Sequence, residues 1–236
     1  MLLKNKKVID ISIFPTSYYR SKSPDNFLIF QENLPLKIKK VTRKGKQIYF
    51  VFEKDFYIVS CLGMTGYWGQ TKEKHTSIEL TLEKSSMYYI DQRHFGRMSF
   101  YTSKEEFEKK VNKLGPDLLN EKVSFGLFKK RLLVHPRWNI TKSLMDQSIV
   151  SGIGNYLKAE ILYDSKISPL HKVEDIDEEN LKKLYHSAIK IIQKSYNSNG
   201  MSSRNYVDVD GNKGDYEPLL KVYGKKKDFL GNKVVL

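Results

Sequence analysis

The chain has a single cysteine, Cys61, among 236 residues. No disulfide can form within it, and a four-cysteine zinc site is excluded. Its five histidines, His75, His94, His135, His171 and His186, are scattered without the spacing of metal ligands. Neither a metal nor a cofactor is implied. No apolar run approaches the length of a membrane span, and no charged-then-apolar leader opens the chain. The expectation is a soluble, intracellular protein with no membrane partner. Acidic residues are in deficit too: 27 Asp and Glu face 41 Lys and Arg, a formal net charge of +14. Such a balance points to a polyanion, nucleic acid first, or else to a solvated surface on a lysine-rich chain.

Fifteen Tyr and twelve Phe supply core and stacking material alike. Over the first hundred residues they fall in short β-like runs. Val8 to Ile13 alternates with period two, and further runs follow at Ile48–Phe52, Phe56–Val59, Ser77–Leu82 and Met87–Ile90. Glu53-Lys54-Asp55 and Glu83 to Ser86 read as hairpin turns between them. From Ser103 the period becomes helical. Ser103 is a helix N-cap ahead of Glu105 and Glu106. An amphipathic helix over Asp177–Tyr196 carries Leu181, Leu184, Ala188, Ile191 and Ile192 on one face.

Between these lies Leu144-Met145-Asp146-Gln147-Ser148-Ile149-Val150-Ser151-Gly152-Ile153-Gly154-Asn155, then Glu160. It reads as helix, tight glycine turn, helix. Glycine permits positive φ at such a turn, and a helix N-terminus offers free N–H groups to a phosphate. Asn155 falls where the second helix begins and suits its N-cap.

The tract resembles the helix–two-turn–helix of the formamidopyrimidine-DNA glycosylase / endonuclease VIII family, whose version runs close to L-M-D-(Q/N)-x-x-(V/I)-x-G-(I/V)-G-N-x-x-x-x-E. Leu114-Gly115-Pro116-Asp117-Leu118-Leu119 resembles the connector between that family's two domains. The resemblance implies an α+β protein: an antiparallel β-sandwich over residues 1–104, a helix–two-turn–helix domain over 105–200, and a lesion loop with a partial C-terminal β-hairpin over 201–236. Bent duplex DNA would lie in the cleft between the first two.

Three further stretches complete the likeness. Cys61-Leu62-Gly63-Met64-Thr65-Gly66 reads by itself as a tight turn whose Met packs, or as one presenting an apolar wedge. By resemblance Met64 fills the space left by an everted base. Asp91-Gln92-Arg93-His94-Phe95-Gly96 reads either as an Asp–Arg pair bracing a loop over a packed Phe or as an Arg and an aromatic offered to an orphaned base. The family's D-P-R-R-F-G makes Arg93 and Phe95 void-fillers beside Met64, with Gln92 and His94 as departures. Thr42-Arg43-Lys44-Gly45-Lys46 is by composition a solvated basic cluster; by resemblance Lys46 contacts phosphate at the lesion, and Asn155 contacts phosphate in the helical domain.

The resemblance weakens at the ends. The family's chemistry uses a terminal Pro-Glu, the proline amine attacking the sugar and the Glu moving protons. Here the chain opens Met1-Leu2-Leu3-Lys4, so no catalytic residue carries over. The segment from Val222 resembles the approach to a zincless hairpin finger, without its Arg. The expectation is thus a relative truncated at both ends. The function implied is base-excision repair of oxidised bases by a DNA glycosylase with apurinic/apyrimidinic lyase activity. It would act as a monomer on double-stranded DNA holding damaged bases or abasic sites. A non-catalytic damage-binding relative is the rival, and a basic RNA-binding protein a third reading.

Overall fold

The structure is a computed structural model that describes residues 3–15, 19, 22–201 and 214–234. Two compact units divide after Asn112. Among the described residues the first holds eight antiparallel strands: β1 (Lys7–Ile13), β2 (Leu36–Lys44), β3 (Gln47–Phe52), β4 (Tyr57–Cys61), β5 (Tyr67–Gly69), β6 (Thr76–Leu82), β7 (Ser86–Ile90) and β8 (Arg97–Tyr101). They pair in the order β5-β7-β6-β1-β2-β3-β4-β8. The ladder folds over itself. Trp68 of β5, at one edge, meets Phe50 of β3 with ring centroids 5.2 Å apart, and its indole N–H donates to Ser60 of β4 at 3.1 Å. Apolar side chains from the two layers therefore share one core, as in a sandwich.

Irregularities in the ladder reset the alternation. In β1, Val8 and Ile11 are buried while Ile9 is exposed. Strict period two would have turned Ile9, Ile11 and Ile13 inward together. The register shift between Val8 and Asp10 moves the phase by one, as a bulge does. Between β3 and β4, Lys54 and Asp55 both take positive φ (56° and 57°), the requirement of a two-residue primed hairpin turn. Helix α1 (Phe27–Glu32) closes one end of the core, with Phe30 edge-on to Phe52, Phe56 and Phe100 at 5.1–5.3 Å. Helix α2 (Lys104–Val111) is capped by Ser103 as its sequence implies and lies against the sheet's outer face, Phe107 stacking on Tyr57 at 4.1 Å.

The second unit holds α3 (Phe125–Leu132), α4 (Ile140–Met145), α5 (Asn155–Ser165) and α6 (Glu178–Asn197). The apolar face read from the sequence of α6 is buried throughout. It packs with Phe128, Leu132, Leu144, Val150, Ile153 and Ile161 into a core of its own. The chain from Gly214 onward belongs to this unit. Its attachment is a buried carboxylate: Glu160 of α5, 1% exposed, accepts from the backbone N–H groups of Lys221, Val222 and Tyr223 at 2.8–2.9 Å. Further along, Asp228 accepts from the Tyr163 hydroxyl at 2.9 Å and from the N–H groups of Leu230 and Asn232. That closes a short hairpin with Lys227 opposite Lys233. The sequence-expected lesion loop near 200–216 falls largely outside the described residues.

Glu160→Ala leaves three backbone donors without their carboxylate acceptor. It should cost about 3 kcal/mol, within the range for hydrogen bonds to a charged group. The expected readout is a lower melting temperature and faster proteolysis at Lys225–Lys227; an unchanged cleavage rate would refute the anchoring role.

Candidate nucleic-acid interface

Two loops of the sheet unit converge on one buried carboxylate. Asp91, 1% exposed at the end of β7, accepts from Thr65 Oγ1 at 2.6 Å and from Gly96 N at 2.7 Å. It also accepts from Arg93 N at 3.2 Å. Tyr89 adds a second tie, its hydroxyl donating to the Leu62 carbonyl at 3.1 Å. The residues 62–66 and 91–96 are thereby bound into one rigid body. Glycine is needed where they touch. Gly63 has φ +69°, and a Cβ there would lie 2.7 Å from the Gly96 nitrogen and the Phe95 carbonyl carbon.

This frame decides which side chains leave the core. Thr65 points in and is buried; Met64 beside it is 58% exposed. His94 takes φ 56° and buries its Nδ1, while Arg93 and Phe95 on either side face solvent, Phe95 at 59% exposure. The bland alternatives raised by the sequence are therefore corrected. Met64 does not pack as a gap-filler, Phe95 is not sealed under a loop, and Asp91 holds the Arg93 backbone in place of an Asp–Arg side-chain pair. A methionine, an arginine and a phenylalanine stand in water on fixed backbone.

Lys46 occupies the second position of the two-residue turn between β2 and β3, after Gly45 at φ 54°. Arg43 and Lys44, read from sequence as part of a solvated basic cluster leading into a strand, lie within β2 itself. Lys46 is exposed as a residue, yet burial around its amine holds the pKa below the usual lysine value.

In the helical unit, the glycine turn is held by Gln147. Its amide nitrogen donates to the carbonyls of Met145 and Ile153 at 2.9 and 3.0 Å, and its amide oxygen accepts from Gly152 N at 2.9 Å. Gly152 itself sits at φ 99°. The connector joins the same turn: Gly115 N donates to the Gln147 carbonyl at 2.8 Å and Ser151 N to the Pro116 carbonyl at 3.0 Å. Ile149, Val150 and Ile153 are buried beneath it. Asp146, which ends α4, accepts from Ser148 Oγ at 2.6 Å, and this bond lowers its pKa.

One expectation fails here. Gly154, not Asn155, is the N-cap of α5, and no side chain caps that end. Asn155 is the first helical residue, exposed, with its side-chain oxygen accepting from Lys158 Nζ at 3.2 Å. An Asn at the cap would satisfy one leading N–H group; a glycine leaves all of them available. The sequence also concealed the parts played by Gln147 and Asp91. Their contacts reach across the turn and between separate loops, with no periodic signature.

The chain matches family models over both halves. Residues 1–98 match the formamidopyrimidine-DNA glycosylase N-terminal domain, and residues 114–207 the H2TH domain of the same enzyme. The formamidopyrimidine-DNA glycosylase of Lactobacillus johnsonii is 32% identical over 98% of this chain and 85% of its own length. That of Desulfitobacterium hafniense is 32% identical over 80% of this chain and 71% of its own. Among solved structures, the MutM (Fpg) protein of Thermus thermophilus superposes with a TM-score of 0.86 at 24% identity, covering 99% of this chain and 86% of that one. The Lactococcus lactis Fpg, solved with DNA containing an abasic site, gives 0.82 at 26% identity over 96% and 85%. Matching models in both units and relatives of this identity along nearly the whole chain make the protein a member of the formamidopyrimidine-DNA glycosylase family.

Proposed function

We propose that this protein recognises duplex DNA at damaged or missing bases and serves base-excision repair of oxidised bases, as a DNA glycosylase with apurinic/apyrimidinic lyase activity. The observation that carries the proposal is the Asp91 clamp, which holds Met64, Arg93 and Phe95 out in water on two immobilised loops. Lone exposed apolar residues are ordinary. Two such residues beside a five-donor guanidinium, all on locked backbone, suit a surface that is covered only when a partner arrives.

Extruding a nucleotide from a duplex costs a few kcal/mol in lost stacking and pairing. The Met64 thioether enters the vacated space as a wedge, and Phe95 stacks on the neighbouring base. Arg93 donates to the base left without its partner. Because the loops are already ordered, little further conformational entropy is lost on insertion. Lys46 brings an ammonium to the strand's phosphates. Uncapped N–H groups at the start of α5, with Asn155 and Lys158, take another phosphate. The basic excess of the chain supplies the long-range attraction.

Met64→Ala combined with Phe95→Ala should abolish the preference for an abasic over an intact duplex while bulk affinity stays within a few-fold; a retained preference would sink the assignment. Asn155→Ala and Lys46→Ala should each weaken binding to every duplex alike, and Lys46→Ala, which removes a charge, should also lower the salt slope by about 1; unchanged affinity in the first or an unchanged slope in the second would remove that residue from the phosphate contacts. Borohydride trapping on an abasic duplex tests the chemistry. A covalent adduct would support the glycosylase and lyase reading, whereas tight binding without one would replace it by a non-catalytic damage binder.

A further inference from the structure

His135-Pro136-Arg137-Trp138 forms a four-residue turn, the Trp138 N–H donating to the His135 carbonyl at 3.0 Å. Proline at its second place presets the backbone, and the first and fourth residues come side by side. The turn is fixed from behind: the Pro136 carbonyl accepts from Glu174 N at 2.9 Å, the Trp138 carbonyl from Val173 N at 3.0 Å. The imidazole of His135 stacks on the indole of Trp138 with centroids 3.8 Å apart and planes 15° apart. Trp138 then precedes the N-cap of α4, Asn139, whose side chain accepts from Thr141 N at 2.8 Å. The cap orients the first turn of α4 so that Lys142 sets its amine 3.7 Å from the centroid of the same indole.

Two groups at those distances cannot share one face of the ring. The indole is a partition with an imidazole on one side and an ammonium on the other. Lys142 also lies one helical turn before the glycine turn, its carbonyl accepting from Asp146 N at 3.1 Å. Among the described residues, neither Lys142 nor the exposed Arg137 forms an ion pair. Some other lysines of this unit are matched with carboxylates, as Lys190 and Lys221 are with Asp164. A lysine left unpaired, yet held in one place by an aromatic face, has surrendered part of its rotamer freedom before any anion arrives.

We propose that Trp138 is a positioning residue: it holds the Lys142 ammonium ready for a backbone phosphate of duplex DNA, a contact additional to the one at the start of α5. The inference rests on the duplex-binding reading above. Lys142→Ala should weaken binding to an abasic-site duplex about three- to tenfold and lower the salt slope by about 1. Trp138→Leu should weaken it comparably although the lysine remains, and Trp138→Phe should restore most of the loss because a ring face is returned. Combining Trp138→Leu with Lys142→Ala should be no worse than Lys142→Ala alone, as for two parts of one contact. An independent reading comes from fluorescence. Trp68 is buried and Trp138 half-buried, so iodide quenching reports mainly on Trp138, and saturating duplex should protect it. Additive losses, an unchanged slope in Lys142→Ala, or unprotected quenching would each overturn the inference. Should Trp138→Leu fail to fold, the Lys142→Ala slope and the quenching of unaltered protein still decide it. Unaltered protein that ignores duplex DNA defeats the duplex-binding reading, while normal binding with an intact Lys142→Ala slope defeats only this inference.

Discussion

One carboxylate, that of Asp91, holds the sheet unit's exposed loops in their shape. A buried carboxylate is tolerable only when donors surround it. Here the donors are a hydroxyl from one loop and two backbone N–H groups from the other. The electrostatic need of a single side chain therefore becomes the geometry of two segments separated in sequence. Whatever the outward residues do, they do from a platform whose flexibility has been removed in advance.

The helical unit solves an equivalent problem with an uncharged group. Gln147 closes the glycine turn by offering its amide to two carbonyls and one N–H, and the connector from Gly115 to Asp117 zips onto the turn's far side. Glu160 then anchors the C-terminal segment along α5. Both units share a construction in which one satisfied polar side chain fixes several stretches of backbone. The apolar cores give cohesion, and these polar centres give the loops a definite form.

Much of this was legible in the sequence where the signal is local. The strand runs from Val8, Ile48, Phe56, Ser77 and Met87, the cap at Ser103 and the apolar stripe of α6 all depend on neighbours within a few positions. What escaped was short or long-range. Strand β5 spans three residues and α1 six, too few to show a period, while nine-residue β2 was missed because its register shift between Ile38 and Lys40 breaks the alternation. β8 lies directly after a functional-looking motif and was hidden by it. The slip in β1 leaves no mark in the residue pattern, because exposed Ile9 is as apolar as buried Val8 and Ile11. Motif likeness nominated Met64, Arg93, Phe95, Lys46 and Asn155 as candidates, yet it could not say that Gly154 would take the cap from Asn155. Nor could it show that Asp91 would hold the other loop. Those outcomes depend on which donors happen to lie within reach after folding.

Two sulfur atoms in and beside the first loop tied to Asp91 have opposite fates. Cys61 ends β4 half-buried, and burial pushes its thiol pKa up despite the opposing pull of Lys110 and Arg97, so little of the reactive thiolate forms. Three residues later the Met64 thioether stands in the open. Peroxide reaching this edge of the molecule meets an accessible thioether before it meets a thiolate. The product, a sulfoxide, is polar and chiral where the parent was greasy and pliant. Oxidative stress would thus blunt the tip itself while sparing the thiol beside it, and sulfoxide reduction would sharpen it again.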